Sequence, residues 1–267
     1  MPMPCKICNG STVEHARTLI KNKYQALFVR CEDCGFIFVP EPTWIAEVYA
    51  EPINRSDTGY VSRNLWARDK MRYCIETYLN PAGIFLDYAA GYGMFVRLMR
   101  DAGYDFRWAD MYCENLFSRG FEAPTPLAGP FECVTAFEVF EHLVNPGDEM
   151  EIISKITTCL VLSTKLLPEP APKPEDWWYF GLEHGQHVAL YTRKSLDALA
   201  RRFGFQMATN GDDLHIFSKR AIPQNIFYQP PLPPRWQFWK ERKTLPTRPS
   251  FTMKDHDLIA NEILRKK

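Results

Sequence analysis

Several groups of residues in this 267-residue chain combine types and spacings that can do chemistry. The first is a pair of Cys-x-x-Cys knuckles, Cys5/Cys8 and Cys31/Cys34, with twenty-two residues between them. Each knuckle can bring two thiolates onto one ion, and four complete a tetrahedron. The spacing therefore predicts a structural zinc in a small ribbon-like hairpin, with strands at 24–30 and 36–39; the alternative is four unligated thiols. The second group lies at 84–96, where a short apolar run ends in Asp87 and a small-residue turn carries Ala89, Gly91 and Gly93 into an amphipathic helix. Strand, glycine turn and helix form the first unit of a nucleotide-binding parallel sheet, where the backbone can approach a ligand closely.

The turn reads Asp-x-x-x-Gly-x-Gly and lacks the third glycine of the dinucleotide fingerprint. Asp87 would also repel a diphosphate lying on the turn. An adenosyl ligand without phosphate fits better, which points to S-adenosylmethionine. Asp110 follows Asp87 by twenty-three residues, near the spacing at which the next strand presents an acid to ribose hydroxyls. Its other role would be a helix N-cap. Met111 and Tyr112 either cover an adenine face or belong to the core. Glu138 and His142 follow the strand at 132–137, at the end that faces the crevice of such sheets; His142 is favoured as a residue that orients this loop. Tyr60 and Arg63 sit on a helix just before the first strand and are placed to meet the carboxylate of the ligand; equally, Arg63 is a solvated helix residue. Finally, Trp177-Trp178-Tyr179-Phe180 precedes Glu183, His184 and His187. Aromatics form walls, a neutral imidazole can take a proton, and a neighbouring glutamate can orient it. This segment is read as an acceptor pocket with His184, His187 and Glu183 as catalytic candidates, or else as a packed aromatic loop with structural histidines.

The elements that must position these groups alternate. Helices are expected at 44–49, from about 57 to 79, at 95–102, 150–157, 192–203 and 255–267, and strands at 84–88, 106–110, 132–137 and 160–164, closed by a hairpin of 205–209 and 214–218. Residues 121–130 are broken by prolines and show no strong third strand. The organisation that follows is a ribbon at 1–40, a linker at 41–56, an α/β domain at 57–220 and a proline- and aromatic-rich tail at 221–267 with a short C-terminal helix. Lysine plus arginine and aspartate plus glutamate both number 32, so no global field favours nucleic acid, although a local basic patch stays open. No apolar run reaches the roughly 20 residues of a membrane span, and the N-terminus is not a signal peptide. A cytoplasmic protein is expected, with its cysteines as thiols or metal ligands rather than disulfides.

Over residues 57–219 the chain resembles the class I S-adenosylmethionine-dependent methyltransferases, through Asp87 to Gly93, Asp110 and Glu138-x-x-Glu141-His142. It is most similar to a branch common in bacterial glycan and capsule gene clusters, in which a Cys-x-x-Cys pair precedes the catalytic domain. Asp57-Thr58-Gly59, Arg63-Asn64, Glu138 to His142, and Trp177 through His187 carry that similarity. It is also similar to zinc-containing deoxysugar C-methyltransferases, whose Glu-His-x-x-Tyr-like loop stands here as Glu183-His184-Gly185-Gln186-His187, with tyrosine only at Tyr191. The resemblance implies an α/β fold: a doubly wound, seven-stranded Rossmann-like methyltransferase sheet with a small N-terminal zinc ribbon and a proline-rich tail. It implies in-line transfer of a methyl group from S-adenosylmethionine to a small acceptor, a sugar, sugar nucleotide or phosphorylated glycan precursor. O-methylation with His184 or His187 as base is the first reading. The alternatives are C-methylation of a keto-deoxysugar nucleotide and a non-catalytic cofactor-binding partner of a glycan-assembly enzyme. A nucleic-acid substrate is disfavoured by the neutral charge and the lack of an Asn-Pro-Pro-Tyr-type loop.

Overall fold

A computed structural model describes residues 3–49, 57–227 and 245–265. Parts of the expected linker (50–56) and of the proline-rich tail (228–244) lie outside the described residues. Among those described, no helix is long and apolar enough to cross a membrane.

The central sheet is built from β4 (Ile84–Tyr88), β5 (Asp105–Ala109), β6 (Cys133–Phe137), β7 (Cys159–Ser163), β9 (Gln206–Thr209) and β10 (Leu214–Ser218), in the order β5-β4-β6-β7-β10-β9. The first four are parallel, and β10 runs antiparallel to both neighbours. β6 and β7 are almost wholly buried, as strands covered by helices on both faces must be. One face packs α2 (Tyr60–Tyr78) and α3 (Met94–Asp101) through Met71, Ile75, Val96, Met99 and Phe106. The other packs α4 (Pro146–Ile156) and α5 (Arg193–Arg202) through Met150, Ile153, Leu196 and Leu199. From β4 the chain steps to β5 on one side and then back to β6 on the other, so the carboxyl ends of β4 and β6 border a switch-point crevice.

The sheet has six strands among the described residues where seven are expected. Outside β5 only one parallel bridge forms, Trp108 with Glu122. The Trp108 N–H donates to the Phe121 carbonyl at 2.9 Å and the Ala123 N–H to the Trp108 carbonyl at 2.8 Å. Pro124 and Pro126 follow at once, and a residue without an N–H cannot extend the ladder.

A second sheet contains β1 (Thr12–Ile20), β2 (Tyr24–Cys31), β3 (Ile37–Phe38) and β8 (Ala189–Leu190), in that order. Its fourth strand comes from the chain that follows the aromatic run, because β3 pairs with β8 through Ile37–Leu190 and Phe38–Ala189. The two sheets share a core: Ile7, Phe36 and Phe38 lie in one cluster with Leu86, Val134, Phe140 and Leu196. Further ties are polar. Lys6 Nζ donates to the carbonyls of Pro40 and Val144, and Thr192 Oγ1 to that of Cys34. At the other end of the chain, α6 (Thr252–Arg265) is clasped by Asp255, which accepts two hydrogen bonds of 2.8 Å from Arg100 and one of 2.9 Å from Arg97.

Candidate active site

At the carboxyl end of β4, Asp87 is buried and accepts a 2.6 Å hydrogen bond from Thr135 Oγ1. Desolvation lifts its carboxyl from an ordinary 3.8 to about 7, against the pull of the Thr135 hydroxyl. The turn beyond it is left-handed at Ala89 (φ 55°), Gly91 (φ 55°) and Gly93 (φ 85°). Gly93 is fixed by packing as well as by its backbone. A Cβ there would come within 3 Å of Ser118 Oγ and Asn115 Oδ1. Asp110 closes the turn from β5: its Oδ2 accepts from the Gly91 N–H at 2.9 Å, and its Oδ1 from the N–H groups of Tyr112 and Cys113 at 2.7 Å each. The Trp108 indole N–H meets the Gly91 carbonyl from the same side.

Around this turn the other candidates divide. Tyr60 points its hydroxyl at Gly91, 3.7 Å from where a Cβ would stand. Burial raises that phenol to about 12. Arg63 makes a 2.7 Å ion pair with Asp57 and lies 3.8 Å from Glu138. Glu138, itself left-handed (φ 54°), accepts a 2.6 Å bond from Ser163 Oγ, which in turn accepts the Glu138 N–H. Met111 is 86% exposed and Tyr112 64%, so neither is core.

A denser polar cluster stands on the next turn of chain. Glu141 is fully buried, and its Oε1 accepts a 2.7 Å bond from the Tyr179 hydroxyl while its Oε2 has no partner. Burial, then the charge of Glu138, raises its carboxyl to about 8. One donor atom each of Glu141, His142 and His187 lies within 4.8 Å of the others. Burial depresses all the neighbouring imidazoles, His142 to about 3 and both His184 and His187 below their ordinary value, so all are neutral at pH 7.

Hydrogen bonding separates the two histidines read as candidate bases. His184 Nδ1 accepts the Gln186 N–H at 3.0 Å. The proton of the neutral ring is therefore on Nε2, which can donate but not accept. His187 Nδ1 lies 2.6 Å from the Tyr179 carbonyl. A carbonyl only accepts, so Nδ1 carries the proton and Nε2 keeps its lone pair. Glu183 is exposed and acts on His184 only through its charge. The His184 ring lies against Gly181, which is left-handed (φ 58°), and a Cβ there would overlap it.

The aromatic run packs more than it lines. Trp177, Tyr179 and Phe180 join Phe28, Ile37, Val39 and Trp44 of the N-terminal region, and Trp178 alone is largely exposed, at 72%. The loop that carries the histidines is held by that region. The Lys21 N–H donates to the Leu182 carbonyl at 2.7 Å, Trp44 Nε1 to the Gly185 carbonyl at 2.7 Å, and the Val39 N–H to the Val188 carbonyl at 2.9 Å.

The cysteines meet as the knuckle spacing requires. All four sulfurs lie within 4.8 Å of one another, with Cys5–Cys34 at 3.7 Å and Cys8–Cys31 at 3.4 Å. Four thiolates about 2.3 Å from a tetrahedral zinc stand roughly 3.8 Å apart, so the donor set fits that ion. Backbone N–H groups of Ile7 and Cys34 point at Cys5 and Cys31 sulfur.

Two residues of the site were not picked out by sequence reasoning. Tyr49, just past the short helix α1 (Ile45–Val48), stacks on Tyr112 at 5.1 Å and sets its hydroxyl 2.9 Å from His142 Nδ1. Only an aromatic at the end of a linker helix hinted at it. Glu141 has a signal, its place beside His142 after a central strand, but its orphaned oxygen is visible only in three dimensions.

Residues 61–210 match a family model described as a methyltransferase domain. No curated protein matches the chain in sequence. Among solved structures, it is similar to LepI in complex with SAM, at 13% identity over 54% of this chain and 45% of that one, TM-score 0.40. A SAM-dependent methyltransferase from Bacteroides fragilis in complex with S-adenosyl-L-homocysteine shares 14% identity over 67% of this chain and 94% of that one, TM-score 0.39. Human N-acetylserotonin methyltransferase in complex with SAM shares 11% over 67% and 66%, TM-score 0.44. The chain spans under half the length of the first of these.

Proposed function

Because the chain belongs to the methyltransferase-domain family, we propose that it is an S-adenosylmethionine-dependent O-methyltransferase acting on a small sugar, sugar nucleotide or phosphorylated glycan precursor. The placement of Tyr49 carries the reading. It touches Tyr112, beside the ribose-side acid Asp110, and His142, within the imidazole cluster. A donor side and a reactive polar side thus lie one side chain apart. We assign Asp87, Ala89, Gly91 and Gly93 to the donor turn, Asp110 to the ribose through the lone pair its Oδ2 keeps, and Met111 to the adenine. Tyr60, Arg63 and Glu138 are assigned to the amino-acid end. Cys5, Cys8, Cys31 and Cys34 are assigned to a structural zinc.

When bound, S-adenosylmethionine would supply an electrophilic methyl group to an acceptor oxygen and leave as S-adenosylhomocysteine, with the hydroxyl proton to be removed. The protein's share is to hold the two reactants at attack distance, an effect worth roughly 7–11 kcal/mol at best, and to ease that proton away. His187 Nε2 has the free lone pair for this task, and His184 does not. The Tyr179 carbonyl fixes the His187 ring from behind, and Glu141 in turn holds the Tyr179 hydroxyl. The N-terminal zinc unit acts through position, by holding the loop 181–188. The bacterial glycan and capsule setting is part of this proposal and rests on the sequence resemblance.

Calorimetry of S-adenosylhomocysteine binding tests the donor half. Binding is expected, and Asp110→Ala should weaken it about 10- to 100-fold, the worth of one charge-assisted hydrogen bond. Transfer of labelled methyl into a panel of nucleotide sugars and phosphorylated metabolites tests the acceptor half. No binding refutes the first. A methyl found on carbon, with solvent deuterium entering the acceptor, replaces O-methylation by C-methylation.

A further inference from the structure

We infer that Glu141, His142 and His187 form a second metal site, separate from the four thiols, which takes a divalent first-row transition-metal cation at the acceptor side of the crevice. This rests on the methyltransferase reading for its role, though not for the site itself.

The donor atoms are of the right kind and lie close to one another. One carboxylate oxygen and two imidazole nitrogens within 4.8 Å make the two-histidine, one-carboxylate set that suits such cations and leaves coordination positions open. A dication about 2.0–2.2 Å from each donor needs them roughly 3.0–3.5 Å apart, so donors within 4.8 Å of one another have at most about 1–2 Å to close. Glu141 Oε2 is the independent sign of a missing partner. It is a fully buried carboxylate oxygen with no hydrogen bond, an arrangement that is costly unless something positive or donating meets it.

Each donor is also held from behind, as metal ligands are. His187 gives its Nδ1–H to the Tyr179 carbonyl, which leaves Nε2 forward. His142 Nδ1 engages the Tyr49 hydroxyl. Glu141 Oε1 takes the Tyr179 hydroxyl and leaves Oε2. One tyrosine thus orients two of the three donors, through its hydroxyl and its carbonyl. His142 and His187 are partly exposed as residues while Glu141 is sealed, so any approach from solvent is past the histidines. A cation there acidifies an acceptor hydroxyl. With the cation bound the proton would leave to water and His187 Nε2 would coordinate; the base role assigned to His187 above then belongs to the metal-free protein.

The test uses the full chain with its thiolate zinc in place. Mn²⁺ is titrated in while electron paramagnetic resonance follows the free ion, because a hard cation avoids the thiolates. About one Mn²⁺ should bind per chain. Glu141→Gln and His187→Ala should each weaken binding at least about 100-fold, and Tyr49→Phe about 10- to 100-fold, as loss of an orienting partner does. Zinc content and far-ultraviolet circular dichroism of each variant show that the fold is kept. His142→Ala serves as replacement for any variant that unfolds. The inference is overturned if free Mn²⁺ is unchanged and metal analysis after exposure to Co²⁺ or Zn²⁺ finds only the thiolate ion. It is equally overturned if folded variants bind as the wild type does. S-adenosylhomocysteine calorimetry on the same samples separates the two claims. Cofactor binding without a dication sinks the metal site alone, and a dication without cofactor binding sinks the methyltransferase reading.

Discussion

Replacing Asp87 by asparagine should stabilise the chain at alkaline pH and do little at acid pH. The reason lies in burial: the carboxyl is 4% exposed and its single hydrogen bond, from Thr135, does not offset the lost hydration. Its folded value of about 7 stands above the ordinary 3.8. Below pH 3.8 the group is protonated in both states and contributes no difference. Between 3.8 and 7 only the unfolded chain releases the proton, so folding of the wild type weakens as pH rises. Above 7 the loss is complete, and at 1.36 kcal/mol per pH unit it reaches about 4 kcal/mol as a ceiling. Asparagine keeps an oxygen for Thr135 and has no proton to lose. Urea unfolding of both proteins from pH 4 to 8.5 should therefore give a stability difference that grows by about 2–4 kcal/mol in favour of Asp87→Asn. Glu141 and the other titrating groups are common to both proteins and cancel. Stability curves that run parallel across this range would refute the argument.

Three further outcomes follow from the geometry. His187→Ala should lower methyl transfer by about 10²- to 10⁴-fold while His184→Ala leaves it within roughly tenfold, measured as turnover with cofactor affinity checked in parallel; equal losses would overturn the tautomer assignment. Cys8→Ser should abolish binding of the proposed zinc and lower the thermal midpoint by about 4 °C or more, since the thiol unit shares its core with the central sheet; differential scanning calorimetry with metal analysis decides it. Asp255→Asn leaves the buried Arg100 guanidinium half-partnered and should cost about 3–5 kcal/mol in urea unfolding, with no change in cofactor affinity.

Much of the central sheet was legible because its signals are local. The apolar run at 84–88, the glycines after it, and the hairpin turn at Asn210-Gly211 are each read within a few residues. The seventh strand that the resemblance implies is absent among the described residues, because prolines at 121–130, where the sequence itself shows no strong strand, leave one bridge there. The thiol spacing placed four sulfurs together, and three-dimensional contact agrees. What stayed hidden depends on distant pairing. Nothing local in Ala189-Leu190 announces that it completes a sheet begun near residue 12. The run at 177–180 carries the same composition whether it walls a pocket or fills a core, and three of its four aromatics do the latter. The choice between His184 and His187 turns on which ring nitrogen meets a backbone N–H and which a carbonyl, a fact that residue type does not encode.

The pairing of β3 with β8 sets a timetable for synthesis. About 150 residues separate the two partners in the chain, and at about 5–20 residues per second the ribosome needs roughly 8–30 s to deliver the second. Through that interval the first sheet has an open edge at Ile37 and Phe38, both destined for burial. Early metal capture by the four thiols would hold the hairpin in register while it waits. On the proposed assignment of zinc to these thiols, a shortage of the metal would bear on this waiting edge during translation, before it bears on the finished fold.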